Sequence, residues 1–265
     1  MRWAEAVQTM TSSSRILLAV VVIGLCGATT AGADQVTLVA PGGIRAAIEL
    51  LVPAFERLTG HTVKATFGSG GGTKQQVIRG EPFDVPIVQP PLDVVRDSGH
   101  VRLDSEAPLA TVAVAVAVRA GQPKPDISTP DAVIRMLRAA KSISYPDGST
   151  GAAAGVSFDA TLKLLGIVDE MQPKIRRAAG GAGAMALVAS GTVDIGLTFQ
   201  SEMNDPGIDI VGPLPRAVST PTALVGFVSA AAASPEAARA LLKYLSSDEA
   251  AAVYRKCGMV PGALR

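Results

Sequence analysis

The sequence predicts an α/β protein of two lobes, each a mainly parallel sheet flanked by helices, with a ligand cleft between them. Three observations predict it. From residue 35 onward, strand-like and helix-like segments alternate with short links, the pattern of a parallel sheet covered by helices. Two long apolar runs, LATVAVAVAV (109–118) and ALVGFVSA (223–230), bracket a central segment with its own α/β rhythm, as two crossings between lobes would. Glycine-rich loops recur where a strand hands over to a helix. On this reading residues 34–115 with 222–265 form one lobe and residues 116–221 the other.

QVTLVA (35–40) is a β-branched strand that leaves through Pro41, Gly42 and Gly43. Ile44, Ile48, Leu51, Phe55 and Leu58 then fall at helical spacing, with Gly60 as the stop and a kink expected at Pro53. HTVKATF (61–67) is the second strand. After its glycine loop, residues 73–78 read as helix and VPIV (85–88) as a buried strand. In the central segment residues 131–140 form a helix, SISY (142–145) a strand, DGSTGAAAG (147–155) a loop, and a helix continues to Leu165. A strand at 175–178, a second glycine loop AGGAGAM (179–185), a helix to Ser190 and the strand DIGLTF (194–199) complete it. Two helices close the chain. Ser234 caps the first, with Pro235 at its opening position, and Ser246 with Glu249 forms a capping box for the second.

The first 33 residues read as a secretory leader rather than fold. Arg15 precedes the apolar run ILLAVVVIGLC (16–26), which is too short to span a bilayer, and Ala31-Gly32-Ala33 gives a cleavage site before Asp34. A lipid anchor on Cys26 is disfavoured because Ile23-Gly24-Leu25 is a poor approach to it. Cleavage after Ala33 makes the product periplasmic. Removing Arg2, Arg15 and Glu5 with the leader leaves 22 basic and 22 acidic side chains. A net charge near zero excludes nucleic acid and an anionic membrane surface as natural partners. Cys257 alone remains after cleavage, so an intrachain disulfide is ruled out. The only tryptophan, Trp3, leaves with the leader, and so few flat faces remain that a stacked sugar or nucleobase is a poor fit.

FGSGGGTKQQV (67–77) tests a nucleotide reading and fails it. Lys74 follows Thr73 rather than the glycine a Walker A loop needs, and Thr73 stands where the third glycine of a dinucleotide fingerprint belongs. What survives is a set of unshielded backbone N–H groups at a helix start, which attracts anions. Five such strand-end positions recur: Gly43 with Arg45; Ser69 with Gly70; Ser149 with Thr150; Gly181; and Gln200. Taken singly each is an ordinary turn, and Arg45 a solvated residue on a first helical turn. Taken together they suit a compact anion held by neutral donors and helix ends, with one cation.

QVTLVAPGGIR, LVPAFERLTGHTV, GEPFDVPIV, VRAGQPKPDISTPDA and SPEAARALLKYLSSDEAAAVYRKCGMVP resemble a molybdate-binding-protein-like periplasmic solute-binding protein, the type 2 binding proteins of ABC transporters. The resemblance spans essentially the whole mature chain. It implies two α/β lobes that close on a small anion, as a monomer, and dock on a membrane permease. Molybdate binders of this kind usually place a serine after the first strand, where this chain has Pro41-Gly42, and another after the second, which Ser69 matches. They often carry a tyrosine followed by Asp-Ala in the stretch that here reads Phe199-Gln200-Ser201-Glu202. With Arg45, whose guanidinium forks onto a carboxylate, these departures make an organic carboxylate a second candidate ligand.

Conventional catalytic equipment is sparse. His61 and His100 are far apart, no G-x-S-x-G is present, and two histidines with one cysteine make no standard zinc spacing. Neither metal nor cofactor is expected. Relatives of the group nevertheless include an aconitate isomerase, and a double-bond shift in a tricarboxylate needs only one base and good anion clamps. Asp147, Tyr145 and Glu202 are the candidates, with no sequence ground for choosing among them.

Overall fold

The structure is a computed structural model that describes residues 33–262. The expected leader falls outside this range but for its last residue, Ala33. The first elements alternate as the sequence requires: β1 (Gln35–Pro41), α1 (Arg45–Thr59), β2 (Thr62–Gly68), α2 (Gly70–Ile78), β3 (Val85–Val88) and the short α3 (Asp93–Arg96). β4 (Val101–Val112) and β5 (Val114–Arg119) follow, then α4 (Pro130–Ala139), β6 (Ile143–Pro146), α5 (Ala153–Leu165), α6 (Val168–Met171), β7 (Ile175–Ala178), α7 (Gly180–Ala189), β8 (Ile195–Phe199) and β9 (Ile208–Pro213). β10 (Thr222–Ser229), α8 (Pro235–Leu245), α9 (Asp248–Lys256) and β11 (Val260–Pro261) end the described chain.

Two mixed sheets result. The first runs β11-β4-β10-β3-β1-β2 and the second β7-β6-β8-β5-β9. β1 pairs parallel with β2 and β3, and β6 pairs parallel with β7 and β8; β10 and β5 add antiparallel strands. The run 109–118 is not one strand. It breaks at Ala113, so β4 stays in the first sheet and β5 pairs with β8 and β9 in the second. Its alternation explains the packing of β5. Val114, Val116 and Val118 fill one face, while Ala115 and Ala117 lie against Ala184, Met185 and Val188 of α7 on the other. Period-two patterning with both faces apolar is what a doubly covered sheet requires.

Other local expectations shift for physical reasons. α1 continues through Pro53 without a break; one backbone bond is forgone, and the buried stripe of Ala47, Ile48, Leu51 and Phe55 holds the helix. Leu58 is in phase with that stripe but is 70% exposed in the last turn. α2 and α7 both begin inside their glycine runs rather than after them. α9 is capped by the Ser247 side chain, which accepts from the Ala250 N–H; Ser246 instead donates back to the Leu242 carbonyl and finishes α8. Ser234 stands at the start of α8 without a side-chain cap bond.

Asp84 ties the first sheet together near the amino ends of its strands. Only 3% exposed, its carboxylate accepts from the Thr37 N–H at 2.7 Å, the Thr37 hydroxyl at 2.6 Å and the Ala233 N–H at 2.7 Å. Removing it strands two backbone donors in a dry site, each costing about 1–3 kcal/mol. We therefore predict that Asp84→Ala lowers the unfolding free energy by about 3–5 kcal/mol in urea denaturation. A loss below about 1 kcal/mol would show that the triad of bonds is not structural.

Candidate functional site

The carboxyl ends of β1, β2 and β3 and those of β6, β7 and β8 open onto one cleft of about 1030 Å³, where open α/β sheets bind ligands. The halves already touch around it. The Gly71 N–H donates to the Gly151 carbonyl at 3.1 Å, and the Ser201 hydroxyl donates to the Gly43 carbonyl at 2.7 Å. Gly151 makes the first contact with φ of +82°, a backbone conformation that favours glycine. The cleft is therefore roomy with its walls in contact, far larger than one tetrahedral oxoanion needs.

Six of the eight sequence-derived contacts line it: Gly43, Arg45, Ser69, Gly70, Thr150 and Gly181. Ser69 is the N-cap of α2, its hydroxyl accepting from the Gly72 N–H at 3.0 Å. Thr150 donates to the Asp147 carbonyl at 2.8 Å. Ser149 and Gln200 do not reach the lining. The Ser149 hydroxyl is turned back to the Asp147 carboxylate at 2.8 Å, and the Gln200 side chain packs against Gly258.

Three lining residues outside the list of contacts bear on the chemistry. Gln89, directly after β3, is 4% exposed, and its Nε2 has no hydrogen-bond partner among the described residues. It lies beside Gly70 at the start of α2, and a buried amide left this way calls for a ligand or water to complete it. Arg177 ends β7. Its guanidinium lies 4.2 Å from the centre of the Tyr145 ring and donates to Asp159 at 3.2 and 2.9 Å. Tyr145 in turn donates to Asp159 at 2.8 Å. Arg45, on the other wall, lies 4.6 Å from the centre of the Phe67 ring, and its contact to Glu49 is long, 3.9 Å, and exposed. Each half thus presents one arginine laid on an aromatic face, which orients the guanidinium. Arg45 has only the long contact to Glu49, while Arg177 gives one N–H of each terminal nitrogen to Asp159 in an ion pair and keeps its other N–H groups.

The third is Glu202, named from the sequence only as a candidate base. It closes the single turn Gln200–Glu202 that follows β8. Its Oε2 accepts from the Thr198 hydroxyl. A Cβ placed on Gly181 would overlap that carboxyl and the Thr198 hydroxyl, and one on Gly42 would stand 3.3 Å from Oε1. The group therefore sits where the two walls meet. Burial pushes it above its ordinary range, opposed by the Thr198 hydroxyl and the Phe199 amide. The other two candidates differ. Asp147 is held below the usual carboxylate range by the Ser149 hydroxyl and N–H. Tyr145 is fully buried, and burial followed by its bond to Asp159 raises the phenol. Among the described residues no cluster of three or more metal-ligating side chains occurs, and no helix is long and apolar enough to cross a membrane.

Comparison with known proteins agrees with this architecture. Residues 36–260 match the family of bacterial extracellular solute-binding proteins. The chain is 36% identical to an aconitate isomerase from a Pseudomonas species, over 85% of this chain and 87% of that protein. It is 26% identical to the molybdate-binding protein ModA of Azotobacter vinelandii, over 87% and 92% of the two chains. The structure of the periplasmic molybdate-binding protein of Azotobacter vinelandii superposes with a TM-score of 0.71 at 21% identity, covering 86% of this chain and 100% of that one. The shared fold of two sheets flanked by helices is thereby established.

The environment of Glu202 sets a pH dependence. With its affinity for the proton raised by folding, Glu202 costs no stability while both states are protonated. From about pH 4.5 the unfolded chain ionises first, and stability falls until the pH passes the folded pKa. Glu202→Gln removes this loss, so its Tm relative to wild type should climb between pH 4 and pH 8, by about 2–4 °C for each kcal/mol relieved. A gap that is constant with pH, read by thermal denaturation, contradicts the assignment.

Proposed function

This chain belongs to the bacterial extracellular solute-binding protein family, and we propose that its cleft captures a small organic polycarboxylate and shifts a double bond in it, an aconitate isomerase-type reaction. One observation carries the reading: Arg45 and Arg177, from opposite halves, line a single cavity, each fixed against an aromatic ring. A guanidinium forks onto a carboxylate with two parallel N–H bonds. Two of them on opposite walls suit a ligand with carboxylates at both ends. The Gly70 N–H at the start of α2 offers a further donor for a third. The similarity to an aconitate isomerase fits the same substrate class. The reaction is a proton transfer between two carbons of one molecule, and electrostatic clamping of the flanking carboxylates lowers the cost of the carbanion between them.

A second reading keeps the capture and drops the chemistry. The chain then delivers a small anion in the periplasm, as a monomer, to the membrane permease of an ABC importer. The Gly70 N–H at the start of α2, the Ser69 hydroxyl that caps this helix and the similarity to a molybdate-binding protein favour it. Export by cleavage after Ala33 serves either reading.

A thermal-shift panel separates the ligand classes. At a hundred times its dissociation constant a ligand stabilises by about 2.7 kcal/mol, about 5–11 °C at this chain length. We expect such shifts with cis-aconitate, trans-aconitate and citrate, and none with molybdate, tungstate, sulfate or phosphate. Arg45→Ala and Arg177→Ala should each weaken tricarboxylate binding at least about tenfold, the loss of a charge-assisted bond of about 1.5–3 kcal/mol. Shifts with molybdate and tungstate alone would sink the carboxylate reading.

A further inference from the structure

We infer that Glu202 is the residue that moves the proton, taking it from the methylene carbon of the bound tricarboxylate and returning it to the far carbon of the allylic system. The inference rests on the polycarboxylate isomerase reading and goes beyond it by choosing the base. A base for this step must reach the ligand and hold a proton strongly enough to take it from carbon.

The cleft offers few groups that qualify. The Tyr145 hydroxyl is committed to Asp159, and its ring is covered by Arg177. Asp147 has its carboxylate taken up by the Ser149 hydroxyl and N–H at 2.8 and 3.0 Å, bonds that make it a weaker base. Glu49 is more than half exposed beside Arg45. Glu202 is the remaining carboxyl of the lining. No ion pair involving it is formed among the described residues, and the neutral Thr198 hydroxyl fixes its direction without neutralising it. The walls around it carry no side chain at Gly42 or Gly181, which leaves the carboxyl open to the cavity and places it between the two arginine-bearing halves. Burial raises its proton affinity, which strengthens it as a base. The charged groups that share the cavity with it are Arg45, Glu49, Asp147 and Arg177.

The step balances without an oxidant or reductant. The methylene C–H bond breaks and its proton passes to a Glu202 oxygen. The electron pair spreads over the three-carbon system into the adjoining carboxylates, whose charge Arg45 and Arg177 receive. The Glu202 O–H bond then breaks, a C–H bond forms at the former vinyl carbon, the double bond lies one carbon along, and Glu202 is again a carboxylate.

The test follows trans-aconitate by proton NMR in deuterated buffer, reading both isomerisation and deuterium entry into the methylene position. Binding is measured in parallel with tricarballylate, the saturated tricarboxylate. Glu202→Gln should lower both rates by about 10²–10⁴-fold and leave tricarballylate affinity within about threefold. Glu202→Asp draws the carboxylate back while keeping its charge, and should slow both rates at least about tenfold with binding retained. It also decides the matter should the glutamine variant not fold. Exchange by either variant at the wild-type rate overturns Glu202 as the base while leaving the isomerase reading standing. Wild-type protein that binds tricarballylate but neither exchanges nor isomerises overturns both.

Discussion

The Ser201 hydroxyl reaches the Gly43 carbonyl, 158 residues away in sequence, at 2.7 Å, and this buried bond fixes how the two sheets face each other. It joins the end of β8 to the turn after β1. On one side of it the chain runs into α1 and Arg45, and on the other into Glu202. The two groups that the chemistry needs in register are therefore set by one short seam. The contact of Gly71 with Gly151 meets it at the mouth. Neither contact uses a charged group, so the charges of the cleft remain available to a ligand.

The charges themselves are held by their surroundings rather than by one another. Arg177 is braced by Asp159 and Tyr145, and Arg45 lies on Phe67. Glu202 has a hydroxyl and an amide in place of a cation. A partly buried carboxyl without a cation beside it is a standing cost to stability, and such costs gather at functional sites. Asp84 shows the opposite solution. More deeply buried than Glu202, in its own sheet, it has three donors and no role in the cleft.

Much of the fold was legible because its strands are short apolar runs set between helical stripes. Residues 35–40, 85–88 and 194–199 fall on β1, β3 and β8 almost unchanged. The glycine runs were harder. Glycine signals turns and weakens helices, yet Gly180–Ala189 is helical from its first residue, and Gly181 is bare because Glu202 lies against it. That requirement is tertiary and leaves no local mark. Gln89 and Gln200 show the same limit within the site: both follow buried strands, and only the packing around Gly70 and Gly258 sends one into the cleft and the other away from it. Arg177 sits in IRRA, a polar strand whose partners, Tyr145 and Asp159, come from β6 and α5.

The account stands on a ligand gripped from both halves at once. A crystal structure with tricarballylate tests that most directly. It should show the ligand in the cleft with one carboxylate on Arg45, another on Arg177, and a methylene carbon facing the Glu202 carboxyl. A ligand held by backbone amides alone, with both guanidiniums turned away, would contradict it.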